Sequence, residues 1–190
     1  MKKIVILIMC ICFLLTSCSG SNAVIDKELS FWDYIFRSDD YLCCTVLKDI
    51  VRSIETKDKD LLLSLFSENT KSECPDLERQ AEALLNYCSG KMISFGEFRG
   101  HPSTHEYFHG DGNYEKELDP SYDINTTDGS YRISFFYKQV DTIDRGNEGI
   151  LSLYVIKAED DIDLNYAYHG DGKYTPGIHI GIVYTEFDYE

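Results

Sequence analysis

Positive charge is scarce in this chain: 18 Lys and Arg stand against 33 Asp and Glu in 190 residues, a formal net charge of −15. Nucleic-acid binding needs basic patches that displace counterions from phosphates, so DNA and RNA are excluded as partners. The chain also lacks a G-x-S-x-G elbow, a Walker loop and a dinucleotide fingerprint, so no cofactor is implied. No Cys-x-x-Cys spacing suggests a metal ligand set. Nor does any apolar run reach the roughly 20 residues needed to span a bilayer; the longest is Ile4 to Leu15.

That run has the form of a secretion leader, with Lys2 and Lys3 before it and the small-residue ending Leu15-Thr16-Ser17-Cys18 after it. The ending resembles the lipobox of bacterial lipoproteins, and the resemblance implies cleavage before Cys18 and acyl chains attached there. The expected organisation is a signal peptide over 1–17, a lipid-attached tether and N-terminal segment over 18–38, and one α+β domain over 39–190. The partner so implied is a membrane, reached through the anchor at Cys18, with the domain on the extracytoplasmic face. Without the leader, 16 basic residues oppose 33 acidic ones, and residues 101–190 carry 18 acids against 6 bases. Such a body is repelled by an anionic surface and suits a domain held off the bilayer by the small, polar Ser19-Gly20-Ser21-Asn22.

Four cysteines remain beyond the anchor: Cys43, Cys44, Cys74 and Cys88. Cys74 and Cys88 flank a predicted helix too long for a disulfide between them. A bridge from Cys43 or Cys44 to one of them, or buried free thiols, both remain open.

From Asp39 to Ser89 the apolar residues recur at helical spacing and predict three helices: one with Leu42, Val46 or Leu47, Ile50 and Ile54, one with Leu61 to Phe66, one with Leu77, Ala81, Leu84 and Leu85. Asp58 caps the second, Pro75 and Asp76 open the third, and Ser89-Gly90 ends it. A further helical turn is expected at Lys27 to Phe36. After Gly90 the period changes to two. Strands are predicted at Met92 to Phe98, Glu106 to Phe108, Tyr114 to Ile124, Tyr131 to Val140, Ile150 to Ala158 and Gly177 to Thr185. Tyr131, Ile133, Phe135 and Tyr137 share one face, as do Leu151, Leu153 and Val155, and Ile178, Ile180, Ile182 and Tyr184. Helices first and strands afterwards predict an α+β fold, N-terminal helices packed on a curved antiparallel sheet, with Ile50 against the Tyr131 to Tyr137 face.

Helix, then Ile54-Glu55-Thr56-Lys57-Asp58-Lys59-Asp60, then Leu65-Phe66-Ser67, a further helix and a curved sheet resemble the cystatin-like cone of the nuclear-transport-factor-like superfamily, which includes ketosteroid isomerase. Tyr131-Arg132, Val155-Ile156-Lys157-Ala158-Glu159 and Pro176-Gly177-Ile178 are similar to the strand pattern of uncharacterised Gram-positive lipoproteins with a domain of unknown function. The resemblance covers roughly residues 40 to 185. It implies fold and location and carries over no catalytic residue.

His105-Glu106-Tyr107-Phe108-His109 spells H-E-x-x-H, a zinc motif only on a helix that sets the two His one turn apart. Pro102 before it and Gly110 and Gly112 after it deny that helix, so a strand or hairpin arm is expected, with no metal. His109-Gly110-Asp111-Gly112-Asn113-Tyr114 recurs as His169-Gly170-Asp171-Gly172-Lys173-Tyr174. Each copy reads as a hairpin turn; the alternative is that the two lie together as one site. The acidic Glu159-Asp160-Asp161-x-Asp163 reads as a solvated loop. Among 14 Tyr and 10 Phe, Tyr131, Phe135, Tyr137 and Tyr184 on a concave sheet can line a ligand pocket, or be plain core. The functional expectation is therefore a lipid-anchored module that binds a small molecule or a protein. The alternative is an enzyme drawing its acid or base from His105, His109, His169 or His179.

Overall fold

A computed structural model describes residues 39–98, 102–161 and 175–181 of the chain, all within one compact unit. The leader, Cys18, the tether, the turn expected at Lys27 to Phe36, the second turn copy with His169, Asp163, Ile182 and Tyr184 lie outside the described residues.

The architecture is α+β, with helices preceding a seven-stranded sheet. Helix α1 (Asp39–Thr56) starts with Asp39 and Asp40, where acids favour the positive end of the helix dipole, and buries Cys43, Val46, Leu47, Ile50, Val51 and Ile54. It ends at Lys57, whose φ of 56° breaks the helical path. The Lys57 ammonium donates to the carbonyls of Leu85 and Cys88 at the end of a later helix, a favourable place for a cation. Helix α2 (Lys59–Ser64) is capped as expected, Asp58 accepting from the Leu61 N–H at 2.9 Å. Helix α3 (Glu68–Glu73) was not expected. All of its residues are polar, so it offers no apolar period, and its signal is the cap, Ser67 accepting from the Thr70 N–H at 3.0 Å. Helix α4 (Leu77–Tyr87) buries Leu77, Ala81, Leu84 and Leu85.

Strands β1 (Met92–Glu97), β2 (Ser103–Phe108), β3 (Tyr114–Asp119), β4 (Ser121–Thr126), β5 (Ser130–Asp141), β6 (Gly149–Lys157) and β7 (Gly177–Ile180) follow. The strand expected from Tyr114 to Ile124 is divided at Pro120, which has no N–H for a ladder. Both halves still run antiparallel along one edge of β5, Leu118 opposite Tyr137 and Ser121 opposite Ser134. β1 pairs with β4 and β2 with β3, while β6 takes the other edge of β5 and carries β7. The β6–β7 pair is parallel, so the sheet is mixed and not wholly antiparallel. Residues 158–176 between these strands are long enough for a crossover, which a hairpin turn would not allow.

Tyr131, Ile133, Phe135 and Tyr137 share the main core with Ile50, Leu62, Leu84 and Leu118, so the helices cover that face of β5 as expected. The expected face on β6 needs correction. Phe136 lies opposite Ser152 and Tyr137 opposite Ile150, leaving Leu151 as an extra residue in a bulge. Ile150, Leu153 and Val155 therefore join the main core, while Leu151 joins Phe136, Tyr154 and Ile156 in a second cluster that contains no helical residue. The start of β6 is stitched to the α2–α3 connection by Ile150 N–H to the Leu65 carbonyl (2.9 Å) and Ser67 N–H to the Ile150 carbonyl (3.0 Å). Gly149, at φ 128°, permits this approach: a Cβ there would lie 2.8 Å from the Ser67 nitrogen.

Cys43, Cys44, Cys74 and Cys88 are free thiols. Burial pushes the Cys88 thiol up to about 12 and raises that of Cys43 as well. Both stay protonated and unreactive at neutral pH.

Asp119 is a half-buried carboxylate whose proton affinity is raised to about 7 by loss of solvent and by Glu117. Between about pH 4 and 7 the folded state keeps a proton that the unfolded chain has released, so this group lowers stability as pH rises through that window. Asp119→Asn is expected to flatten that part of the pH dependence and to gain on the order of 2 kcal/mol at pH 8 relative to pH 4, allowing for residual solvent. Urea denaturation at the two pH values checks this; an equal gain at both refutes it.

Candidate functional site

An open cleft of about 540 Å³ lies where the end of α4, the β4–β5 hairpin and the end of β6 converge, within the size range of small-molecule sites. Its lining comes from three short segments: Tyr87 and Ser89, Asp128 to Tyr131, and Lys157 to Glu159. Two phenols organise it, with their rings edge to face and centroids 6.1 Å apart. The Tyr131 oxygen accepts from the Ser89 N–H at 3.1 Å and lies 3.4 Å from its hydroxyl. The Tyr87 oxygen accepts from the Lys157 N–H at 3.0 Å. Each phenol is thus fixed by a backbone donor, and burial raises the Tyr87 phenol, which stays neutral. Ser130 donates to Asn125 (2.7 Å) and Thr127 to Asp128 (3.0 Å), steadying the hairpin that forms the rim. With Lys157, Asp128 and Glu159 in its lining, the cleft offers donors and acceptors together.

Of the aromatic residues expected to line a pocket, Tyr131 borders this cleft while its ring belongs to the core, whereas Phe135 and Tyr137 are buried among the core residues between helices and sheet. Tyr184 lies outside the described residues. Tyr87, Ser89, Asp128 and Lys157 were not among the residues expected to line a site. They are far apart along the chain, and their one shared signal is the Tyr-x-Ser of Tyr87 to Ser89 at a helix end.

No helix runs through the H-E-x-x-H segment: residues 105–108 lie in strand β2 and His109 directly follows it. His105 and His109 therefore stand on one face of a strand about 13 Å apart, at 3.3 Å per residue. His109 bonds Glu115 at 2.8 Å, and Glu115 also takes Lys138 at 2.8 Å, which together hold its carboxyl below the usual range. The next residues form the expected tight turn: Asp111 accepts from the Asn113 N–H (3.1 Å) and side chain (2.7 Å), and Gly112 has φ 88°. His179 lies on β7, its ring stacked on Tyr154 at 4.6 Å. His105, His109 and His179 all lie away from the cleft, and among the described residues no cluster of three His, Cys, Asp or Glu is arranged to hold a metal ion.

The acidic loop is a correction. Asp161 is 5% exposed, not solvated, and it pairs with Arg132, itself 5% exposed. Arg132 also donates through Nε to Asp123 at 2.8 Å, and its guanidinium carbon lies 3.4 Å from the centre of the Phe98 ring. The 3₁₀ turn Ala158–Asp160 carries the chain from β6 to this position.

What fold and cleft define is an α+β domain with helices on one face of a mixed sheet and an open polar recess at one end. Residues 49–158, more than half of the chain, match the model of a domain of unknown function, DUF5104, and the chain belongs to that family. Comparison with curated proteins finds no match. No described helix is long and apolar enough to cross a membrane.

Proposed function

We propose that this protein is a lipid-anchored extracytoplasmic module, built on a cystatin-like arrangement of helices and sheet, that binds a small polar ligand in the Tyr87–Tyr131 cleft. The observation that carries the reading is the pair of phenol oxygens, each held by a backbone N–H at the cleft. A ligand bearing both acceptors and donors, such as a polyol or an amino acid, complements those hydroxyls, Lys157 and the carboxylates of Asp128 and Glu159. Binding suits the site better than catalysis. The groups with strongly altered proton affinity, Cys43, Cys88, Asp119 and Tyr122, do not line the cleft, and Tyr87, which does, is made a weaker acid by burial.

The test is thermal unfolding of the protein with a panel of monosaccharides, polyols and amino acids. A ligand at about 100 times its Kd stabilises the fold by about 2.7 kcal/mol. Tyr131→Phe, which keeps the ring and removes the hydroxyl, is expected to weaken that response about tenfold, as a lost hydrogen bond should. A panel without effect, or an unchanged response in Tyr131→Phe, refutes the cleft as the site.

The anchor rests on Leu15-Thr16-Ser17-Cys18 and the short apolar run before it. Cys18→Ala is expected to move the protein out of the membrane fraction or to leave an unprocessed precursor. Continued membrane attachment of a normally cleaved chain shows that the anchor is something else.

A further inference from the structure

Of six large apolar side chains left in solvent among the described residues, Tyr41 and Ile143 stand apart and the other four lie on two strands. Ile93 (69% exposed) and Phe95 (37%) lie on β1, and Tyr107 (51%) and Phe108 (78%) on β2. These two strands run along the same side of the sheet, β1 against β4 and β2 against β3, and among the described residues neither has a strand on its outer edge. Every residue of β2 is exposed. Its ladder with β3 fixes which backbone groups face outward. The His109 N–H goes to the Asn113 carbonyl, so His109, Tyr107, His105 and Ser103 point their backbone groups at β3, and Thr104, Glu106 and Phe108 point theirs away.

Open edges are ordinarily blunted by Lys, by Pro or by a bulge. β1 has an irregularity between Met92 and Ser94, but β2 is regular, and neither Lys nor Pro falls within it. From this juxtaposition of a regular open edge with exposed aromatic side chains, we infer that β2 is a strand-addition site for an extended segment of a partner protein that alternates apolar and basic residues. Backbone groups of Thr104, Glu106 and Phe108 supply the pairing; Tyr107 on one face meets the apolar residues of the partner, and Glu106 on the other meets the basic ones, whose alkyl stems lie along Phe108. Charge selects the partner. Glu106 lies on the edge and Asp111 flanks it, and the cation beside Glu106, Lys116 at 3.3 Å, is shared with Asp39 at 2.7 Å, so acid outnumbers base there. Opposite charges facing each other across strands stabilise a pair, and like charges destabilise it. The same argument disfavours a second copy of this chain. An antiparallel pairing of two β2 strands that uses all three outward-facing residues sets the two Glu106 carboxylates opposite each other, between bodies of net charge −15.

The test is hydrogen-exchange mass spectrometry of the full-length chain with a short capped peptide of alternating Lys and Val, and with its Glu-Val counterpart. At about ten times its Kd the Lys-Val peptide is expected to slow exchange in 103–108 about tenfold, and the Glu-Val peptide to leave it unchanged. Glu106→Lys is expected to reverse that preference. Glu106→Pro removes an outward N–H and places a ring in the path of the incoming strand, and is expected to abolish protection; should it not fold, Glu106→Lys still decides. The inference is overturned by no slowing with the Lys-Val peptide, by equal slowing with both peptides, or by protection of 103–108 that grows with protein concentration alone, which would assign the edge to a second copy.

Discussion

Asp161→Ala is expected to cost about 3–5 kcal/mol, because it strands the Arg132 guanidinium in a site from which water is almost wholly excluded. Asp123 keeps its bond to Nε, but its side chain is 41% exposed and cannot replace the inner partner. The loss should therefore stay within that range and not fall to the level of a surface pair. Asp123→Ala, by contrast, is expected to cost about 1 kcal/mol or less. Replacing both inner partners, Arg132→Met with Asp161→Leu, should recover most of the stability, since no lone charge is then left buried. Denaturant titration of the three variants, compared at constant slope, separates these cases. If Asp161→Ala loses less than about 0.5 kcal/mol, the carboxylate is solvated after all and Arg132 is satisfied without it.

That pair also marks where the sequence stops being legible. The four residues from Glu159 to Ile162 include three acids in a row, and nothing in their order says which is turned inward. The choice is made by the 3₁₀ turn Ala158–Asp160, which sets the direction of the next residue, and by Arg132 waiting 29 positions earlier in an apolar strand. Alternation along β5 was legible because one face is packed by helices throughout, and so were α1, the Asp58 cap and α4, where apolar spacing and cap chemistry agree. Helix α3 was not, since its six residues pack by capping and by contacts at its ends and show no apolar stripe. The Leu151 bulge was hidden for the opposite reason: Ile150 and Leu151 are apolar alike and the Ser152 that follows is buried too, so the pattern does not mark a slip of one residue. Proline and glycine around His105 to His109 argued correctly for a strand, because the steric argument is local. The cleft is the reverse case. Its phenols and hydroxyls come from segments about 30 to 40 residues apart, and only Tyr131 carried a signal, as a strand aromatic.

Truncating Ile50 to alanine is the second change with a large expected effect, about 2–5 kcal/mol. Ile50 has no exposed surface, and it sits at the centre of the buried stripe of α1, one turn from Val46 and one from Ile54. It shares the main core with Tyr131, Ile133, Phe135 and Tyr137 of β5, so the void opens between the helix and the longest strand of the sheet. The surroundings have little freedom to fill it. α1 is pinned at its far end by the Lys57 ammonium on the α4 carbonyls, and at its start by Asp39, which accepts from Thr104 (2.9 Å) and Lys116 (2.7 Å). A helix held at both ends cannot slide inward, which places the cost in the upper half of the range. Ile50→Val, which removes one methyl group, is expected to cost about 0.5–1.5 kcal/mol. If Ile50→Ala costs no more than Ile50→Val in denaturant titrations, the helix has collapsed onto the sheet and the two pins do not hold it.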